Sequence, residues 1–357
     1  MLTHAGVKVG GNNPWDIQVV DQRFFRAVLT RGSLGLGEAY LHGWWTCNDL
    51  EELSCRLIRS GLYKASLLVP VAVAANFVHA IVNQQSKEKA LRVAVQHYSL
   101  GNDIFLSFLG RYRNYSCGYF LDTDDLDVAQ GQKLEKVCRL LDLRPGDRVL
   151  DVGGGWGEFA RYAATRHGCH VTSVNIADEQ IKFAKEYCNG ASVEVRKCDY
   201  RDLTGRFDKI VVMAMLTHVG YKNYRNFMEI MHRCLEPGGV MLVESVGSHK
   251  SVKDCEPWIN RYIFPGGMLP SLKQLDGAIA GLFSRKLLDE FGSSYVHTLR
   301  AWNRNFVQAW PALQHRYDDR VRLMFEYFFQ TVAGAFRAGY LLHWHILLQK
   351  AEQVADR

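Results

Sequence analysis

Long hydrophobic runs are missing from this sequence. The most apolar stretch, ASLLVPVAVAA at Ala65–Ala75, is about half the ~20 residues that a membrane-spanning helix needs, and Pro70 interrupts it. A soluble chain is expected, one that touches a membrane surface at most. The amino-terminal MLTHAGVKVGG lacks the basic segment and apolar core of a secretory signal, so none is expected there. Cysteines at metal-binding spacing are also missing. The nine cysteines, from Cys47 to Cys255, contain no C-x-x-C pair and their number is odd. That argues against a zinc site and a disulfide framework, and for reduced, mostly buried thiols in a cytosolic protein. There is no internal repeat and no low-complexity segment. Nor is charge of one sign concentrated: 43 Lys and Arg stand against 37 Asp and Glu, a net of +6. So diffuse an excess excludes a nucleic-acid partner and suits a surface that visits anionic membranes or ligands.

What is present supports a full core. Hydrophobic residues make up 48% and charged residues 22% of 357, which excludes a disordered chain and allows about two domains. Residues 1–90 read as a separate, mostly helical N-terminal domain. It holds SLGLGEAYLHGWW (Ser33–Trp45), a helical pattern through Leu50, Leu53, Leu57 and Ile58, and an apolar helix-like stretch to about Val82. The polar run NQQSKEK (Asn83–Lys89) marks the boundary, and residues 91–357 form the second domain.

From Gly146 onward, strand and helix patterns alternate. RVLDV (Arg148–Val152), HVTSVNI (His170–Ile176), SVEVRKC (Ser192–Cys198), DKIVVMAM (Asp208–Met215) and VMLVESV (Val240–Val246) read as strands, with helices such as Glu179–Tyr187 and Tyr224–Leu235 between them. Buried parallel strands separated by helices predict an α/β fold, a doubly wound Rossmann-like sheet. Residues 248–357 read as largely helical insertions, the lid and wall of a tunnel.

The first strand runs into Asp151-Val-Gly153-Gly-Gly155-Trp-Gly157. Glycines here allow a sharp turn and a close backbone approach to a ligand. The spacing is G-x-G-x-G, and the second strand ends in Asn175 where a dinucleotide site expects an acid. An aspartate before G-x-G-x-G is instead the pattern of S-adenosylmethionine-dependent, class I methyltransferases. Asp151 would orient the amino acid end of that cofactor, Asn175 and Gln180 would reach its ribose, and Asp199, in the run Asp199-Tyr200-Arg201, would accept the adenine amino group.

The chain resembles the cyclopropane-fatty-acyl-phospholipid synthases over nearly its whole length. The blocks that carry the resemblance are SLGLGEAYLHGWW, HYSLGNDIF (His97–Phe105), NYSCGYF (Asn114–Phe120), VLDVGGGWG (Val149–Gly157), EPWINRYIFPGGMLPS (Glu256–Ser271) and AGAFRAGYLLHWHILL (Ala333–Leu348). The resemblance implies transfer of a methylene unit from S-adenosylmethionine to a cis double bond of a membrane phospholipid, through a carbocation that a bound bicarbonate deprotonates. It implies that Tyr98, Tyr115 and Ser116, with Gly153, Gly155 and Trp156, close over the cofactor, and that Cys117 and Tyr295 hold bicarbonate. It further implies a homodimer and a cytoplasmic protein that associates transiently with the inner face of the membrane. Aromatic faces would shield the cation.

Two positions depart from the family pattern. Glu-His-Val-Gly after the fourth strand is Thr217-His218-Val219-Gly220, and the histidine at the end of the next strand is Glu244. A second anion at ~4 Å from Glu244 would cost about 4 kcal/mol at an effective dielectric of ~20, which puts bound bicarbonate in doubt. Several outcomes stay open. Glu244 is itself the base, or the product is a methyl-branched or methylene chain. Alternatively, catalysis is lost and the protein only binds lipid or cofactor, or the substitutions are tolerated beside an intact site.

Overall fold

The computed structural model describes residues 2–63, 85–87, 101–252 and 255–351. The apolar stretch near Ala65, most of the expected domain boundary and Tyr98 lie outside them. At the centre is a sheet of seven strands in the order β5-β4-β3-β6-β7-β9-β8. Strands β3 (Arg148–Val152), β4 (His170–Asn175), β5 (Val193–Lys197), β6 (Phe207–Met213) and β7 (Leu235–Gly247) run parallel. Strand β9 (Leu342–Lys350) is inserted antiparallel between β7 and β8 (Phe283–Glu290).

The five expected strand runs all form. Strands β3, β4, β6 and the second half of β7 are rich in β-branched residues and largely buried, as parallel strands flanked by helices must be, whereas β5, at the sheet edge, is mostly exposed. The largely helical reading of residues 248–357 is corrected, because β8 and β9 lie within them. FSRKLLDE, at the sheet edge, is too charged to read as a buried strand.

Helices are stopped and started by local chemistry. The Asp49 carboxylate accepts from the Glu52 amide at 2.8 Å, and Asp125 caps Val128 at 2.9 Å. Ser271 and Gln274 form a reciprocal capping box.

Residues 2–63 pack on helices that follow the sheet. A short pair of strands, β1 (Gln18–Val19) and β2 (Trp45–Thr46), brackets helix Arg23–Leu41. That helix kinks at Gly32, whose φ is +56°. Beyond the kink, a side chain on Gly37 would stand 2.2 Å from Trp258, so only glycine lets these two segments meet. Glu38, buried, accepts from the Tyr262 hydroxyl at 3.1 Å and pairs with Arg31. Helix Leu50–Arg59 lies against helix Asp319–Arg337, and Glu51 is shared by Arg300 at 2.7 Å and Arg337 at 2.9 Å.

Burial raises the Glu51 carboxyl pKa, but the two guanidiniums outweigh it and hold the group below its usual range. Its contribution to stability is therefore present above the unfolded carboxyl pKa and lost as pH falls through the depressed folded value. Glu51→Gln should lower unfolding free energy by about 2 kcal/mol in neutral denaturant titrations, and the deficit should shrink on acidification below about pH 4.

Candidate active site

The carboxyl ends of the parallel strands converge on one cavity of about 1270 Å³. Its polar end is the loop after β3. Gly153, Gly155 and Gly157 have φ of +83°, +54° and +87°, a conformation that other residues adopt only with strain. A Cβ on Gly154 would stand 1.9 Å from Ser173 Oγ and 2.5 Å from Asp151 Oδ2. Gly154 is therefore packed directly on Ser173 and Asp151, and no side chain fits there without displacing them.

Asp151 is buried and accepts from the Ser173 hydroxyl at 2.9 Å. Burial pushes its carboxyl pKa up to about 7, against the opposing effects of Ser173 and Lys133. Asn175 and Gln180 position each other: Asn175 Nδ2 donates to Gln180 Oε1 at 2.9 Å, and Asn175 Oδ1 accepts from the Ile176 amide at 2.7 Å. Asp199 takes the Arg201 amide at 2.9 Å and its guanidinium at 2.9 and 3.0 Å. The Arg201 guanidinium lies 4.5 Å from the Tyr200 ring centre and also donates to the Gln85 carbonyl at 2.6 Å. Trp156 donates to Asn102 at 2.9 Å and packs against Phe105. Tyr115 and Ser116 join these residues on the cavity wall. The donor set would suit an ammonium beside Asp151 and hydroxyls beside Asn175 and Gln180, while both Asp199 oxygens are already engaged by Arg201.

The far end is apolar and aromatic. Phe264, Tyr295, Trp302, Tyr327 and Phe328 line it, and it continues past Leu36, Leu53 and Leu57 to Phe25 and Leu29. The aromatic run FEYFF (Phe325–Phe329) divides by helix face. Phe325 and Phe329 are core, packed on Phe108, whereas Tyr327 and Phe328 face the cavity. Thr217 and His218 also lie on the wall, and burial lowers the His218 pKa to about 4, so its ring is neutral. Ala214, between β6 and this turn, has φ +56°, and its amide donates to the Glu244 carbonyl at 3.0 Å. Such strain persists where surrounding structure fixes it.

Cys117 and Glu244 do not line the cavity; both are fully buried behind its wall. Cys117 donates to the Gly118 carbonyl at 3.1 Å, with the Thr298 hydroxyl at 3.8 Å. Burial, and then the nearby Glu244 charge, push its thiol pKa far up, so it is neither a nucleophile nor a base. Glu244 Oε2 is 3.0 Å from His345 Nε2, and Oε1 is 3.5 Å from His343 Nε2. Lys133, also fully buried, donates to Ser116 Oγ at 2.8 Å. Burial would raise the Glu244 pKa, but Lys133 and the two histidines together hold it well below the usual carboxylate range. Sequence reasoning missed Lys133, His343 and His345. Lys133 carries no motif, but His-Trp-His on a strand puts both imidazoles on one face, a signal that period-two alternation supplies.

The sheet order with its reversed strand between β7 and β8, together with the glycine loop and its polar cradle, defines a class I S-adenosylmethionine-dependent methyltransferase. The family model for mycolic acid cyclopropane synthetase matches residues 85–346. The chain is 40% identical to the cyclopropane-fatty-acyl-phospholipid synthase of Escherichia coli K12, over 98% of this chain and 92% of that one. It is 30% identical to the tuberculostearic acid methyltransferase UfaA1 of Mycobacterium tuberculosis, over 88% of this chain and 78% of that one. Among solved structures, the mycolic acid cyclopropane synthase CmaA1 complexed with SAH and CTAB superposes with a TM-score of 0.68 at 26% identity, over 73% of this chain and 98% of that one. Coclaurine N-methyltransferase, at 20% identity, shares the fold with a TM-score of 0.71, over 88% of this chain and 99% of that one. The chain belongs to the cyclopropane synthase family.

Two outcomes should be seen by calorimetric titration with S-adenosylmethionine. Gly154→Ala should abolish binding, because its methyl would displace Ser173 and Asp151 from the cradle. Asp151→Asn should weaken binding about tenfold, the loss of about 1.4 kcal/mol. The wild-type affinity should rise as pH goes from 6 to 7.5, because Asp151 ionises across that window and attracts the ammonium; the variant's should not. Without ligand the sign is opposite. A raised folded pKa means stability falls as pH rises from the unfolded value near 4 through about 7.

Proposed function

We propose that this enzyme adds a methylene unit to a cis double bond in an unsaturated phospholipid acyl chain, forming a cyclopropane ring. The observation that carries this reading is the continuity of the cavity: a polar cofactor cradle opens directly into an aromatic, hydrocarbon-sized channel. S-adenosylmethionine supplies an electrophilic methyl group when bound. The chain's own residues then have three tasks. Asp151 and the Asn175–Gln180 pair orient the donor. Tyr115, Ser116 and Trp156 cover it. Phe264, Tyr295 and Trp302 exclude water and offer ring faces to a carbocation on the acyl chain.

The acyl chain enters from a bilayer. Phe25 and Leu29, on helix Arg23–Leu41, line the outer end of the channel and are 39% and 77% exposed. Arg23 and Arg26 are exposed on the same helix. Apolar side chains beside guanidiniums suit insertion among anionic headgroups. No described helix is long and apolar enough to cross a membrane. The enzyme is thus read as a peripheral protein working at the cytoplasmic face, and as a homodimer whose two mouths gain avidity. Methyl branching remains a second reading because Thr217 and Glu244 replace the residues expected there.

Trideuteromethyl S-adenosylmethionine and unsaturated phospholipid vesicles separate the readings. Ring closure leaves two deuteriums in a saturated ring carbon, a methylene branch leaves two on an alkene carbon, and methyl branching leaves three. No label in lipid, with cofactor binding intact, rejects both. Leu29→Glu should reduce sedimentation with anionic vesicles at least fivefold without changing cofactor affinity; unchanged sedimentation would move the contact elsewhere.

A further inference from the structure

Glu244 sits at the carboxyl end of β7, where ligands of such sheets bind. Its neighbours come from every element around it. Strand β9 provides His343 and His345, and helix Leu126–Leu140 provides Lys133 and Lys136. The segment after Asn114 provides Cys117, and helix Gly292–Leu313 provides Tyr295. The Phe291 ring closes over both imidazoles, at 4.7 and 4.5 Å. The Glu244 charge acts on both Cys117 and Tyr295, the two residues expected to hold bicarbonate. An anion is therefore already present, supplied by the chain and countered by His343, His345 and, through its charge, Lys133. A bicarbonate beside it would meet a like charge in a dry site, and the donors it needs already face Glu244. The residues present do not fit bicarbonate.

We propose that Glu244, held by His343 and His345, is the built-in anion of this active site: it replaces bicarbonate and receives, through Tyr295, the proton lost when the ring closes. The proposal rests on the methylene-transfer reading above. Glu244 lies one layer behind the wall, whereas Tyr295 and Val246, two residues along β7, are on it. One C–H bond of the added methyl breaks, and its electron pair forms the closing C–C bond on the cationic carbon. The proton goes to the Tyr295 oxygen as the tyrosine's own proton passes to Glu244, a transfer that requires the Tyr295 hydroxyl, which makes no hydrogen bond to Glu244 in this structure, to turn toward it. A C–H bond beside a carbocation is acidic enough for a neutral hydroxyl to accept its proton, provided an anion behind takes up the charge. Glu244 Oε1 is the oxygen suited to receive it. Its nearest imidazole, at 3.5 Å, is too distant for a full hydrogen bond, and the atom has no other partner among the described residues. Glu244 is thus a positioning and charge-accepting residue, and Tyr295 is the group that meets the chain.

The test has two arms, both on the full-length enzyme. In the first, the wild type is titrated with ¹³C-bicarbonate and followed by NMR, with no lipid present. No bound signal is expected up to 50-fold excess; a saturable bound signal overturns the proposal whatever the substrate is. In the second, turnover on unsaturated phospholipid vesicles is measured in carbonate-depleted buffer with the deuterated donor. The wild-type rate should change less than twofold when bicarbonate is restored. Glu244→Gln should lower kcat about 100-fold, with KM and cofactor affinity unchanged within twofold, and its residual product should retain three deuteriums. Glu244→Asp should recover at least a tenth of the wild-type rate. Wild-type activity that needs bicarbonate, or a Glu244→Gln enzyme that still closes rings at speed, overturns the proposal. If Glu244→Gln does not fold, the NMR titration and the wild-type bicarbonate response decide alone.

Discussion

A carboxylate sealed in an aromatic shell is the constraint around which the active-site half of this protein is arranged. Removing an ion from water costs several kcal/mol even after relaxation, so Glu244 requires compensation from every direction. Strand β9 supplies it on one side. Because β9 runs antiparallel to β7, Glu244 pairs with His345 and Val246 with His343, and the two-residue period places all four side chains on one face. Lys133 lies on a helix packed over that face; burial lowers its pKa, and the Glu244 charge offsets that only in part, while its ammonium donates to Ser116. Removing the reversed strand would leave the carboxylate without its imidazoles. The topology of the sheet edge and the electrostatics of the site are thus one requirement.

The same burial explains the division of the cavity. A polar cradle with Asp151, Asn175 and Asp199 suits a zwitterionic donor. The channel beyond offers almost nothing for water to bond. A carbocation generated between these regions meets ring faces first, and the Glu244 charge stands behind the wall. That placement lets the charge act on the cation without a carboxylate in contact, which would form an ester.

Much of this was legible in the residues. The five parallel strands announce themselves as short β-branched runs, and Asp151 with its glycines marks the cofactor end because a backbone approach leaves a compositional trace. Strands β8 and β9 were not legible. FSRKLLDE carries polar residues at five of its eight positions at an exposed edge, and β9 reads as part of a helical tail until its pairing with β7 is known. The cluster around Glu244 was half visible. The departure from the family pattern singled out the carboxylate, but its partners lie about 100 residues away on β9 and on a helix before the sheet. Lys133 in particular looks like any solvated helix lysine, and only tertiary packing turns it inward.

The two buried carboxylates of the site show how environment assigns roles to one functional group. Asp151 has a hydroxyl and a distant lysine for company, and burial raises its pKa to about 7. Glu244 has two imidazoles and that same lysine nearby, and stays ionised. Divergence of this kind separates acid from base where one fold needs both. Asp151 is half-ready to be charged and gains most from a cation that arrives from outside, as a donor with an ammonium would. Glu244 already has its cation and gains nothing from another ion, anionic or cationic. Hence the cofactor end is built to be completed by a ligand, while the end beneath the acyl chain is complete as folded.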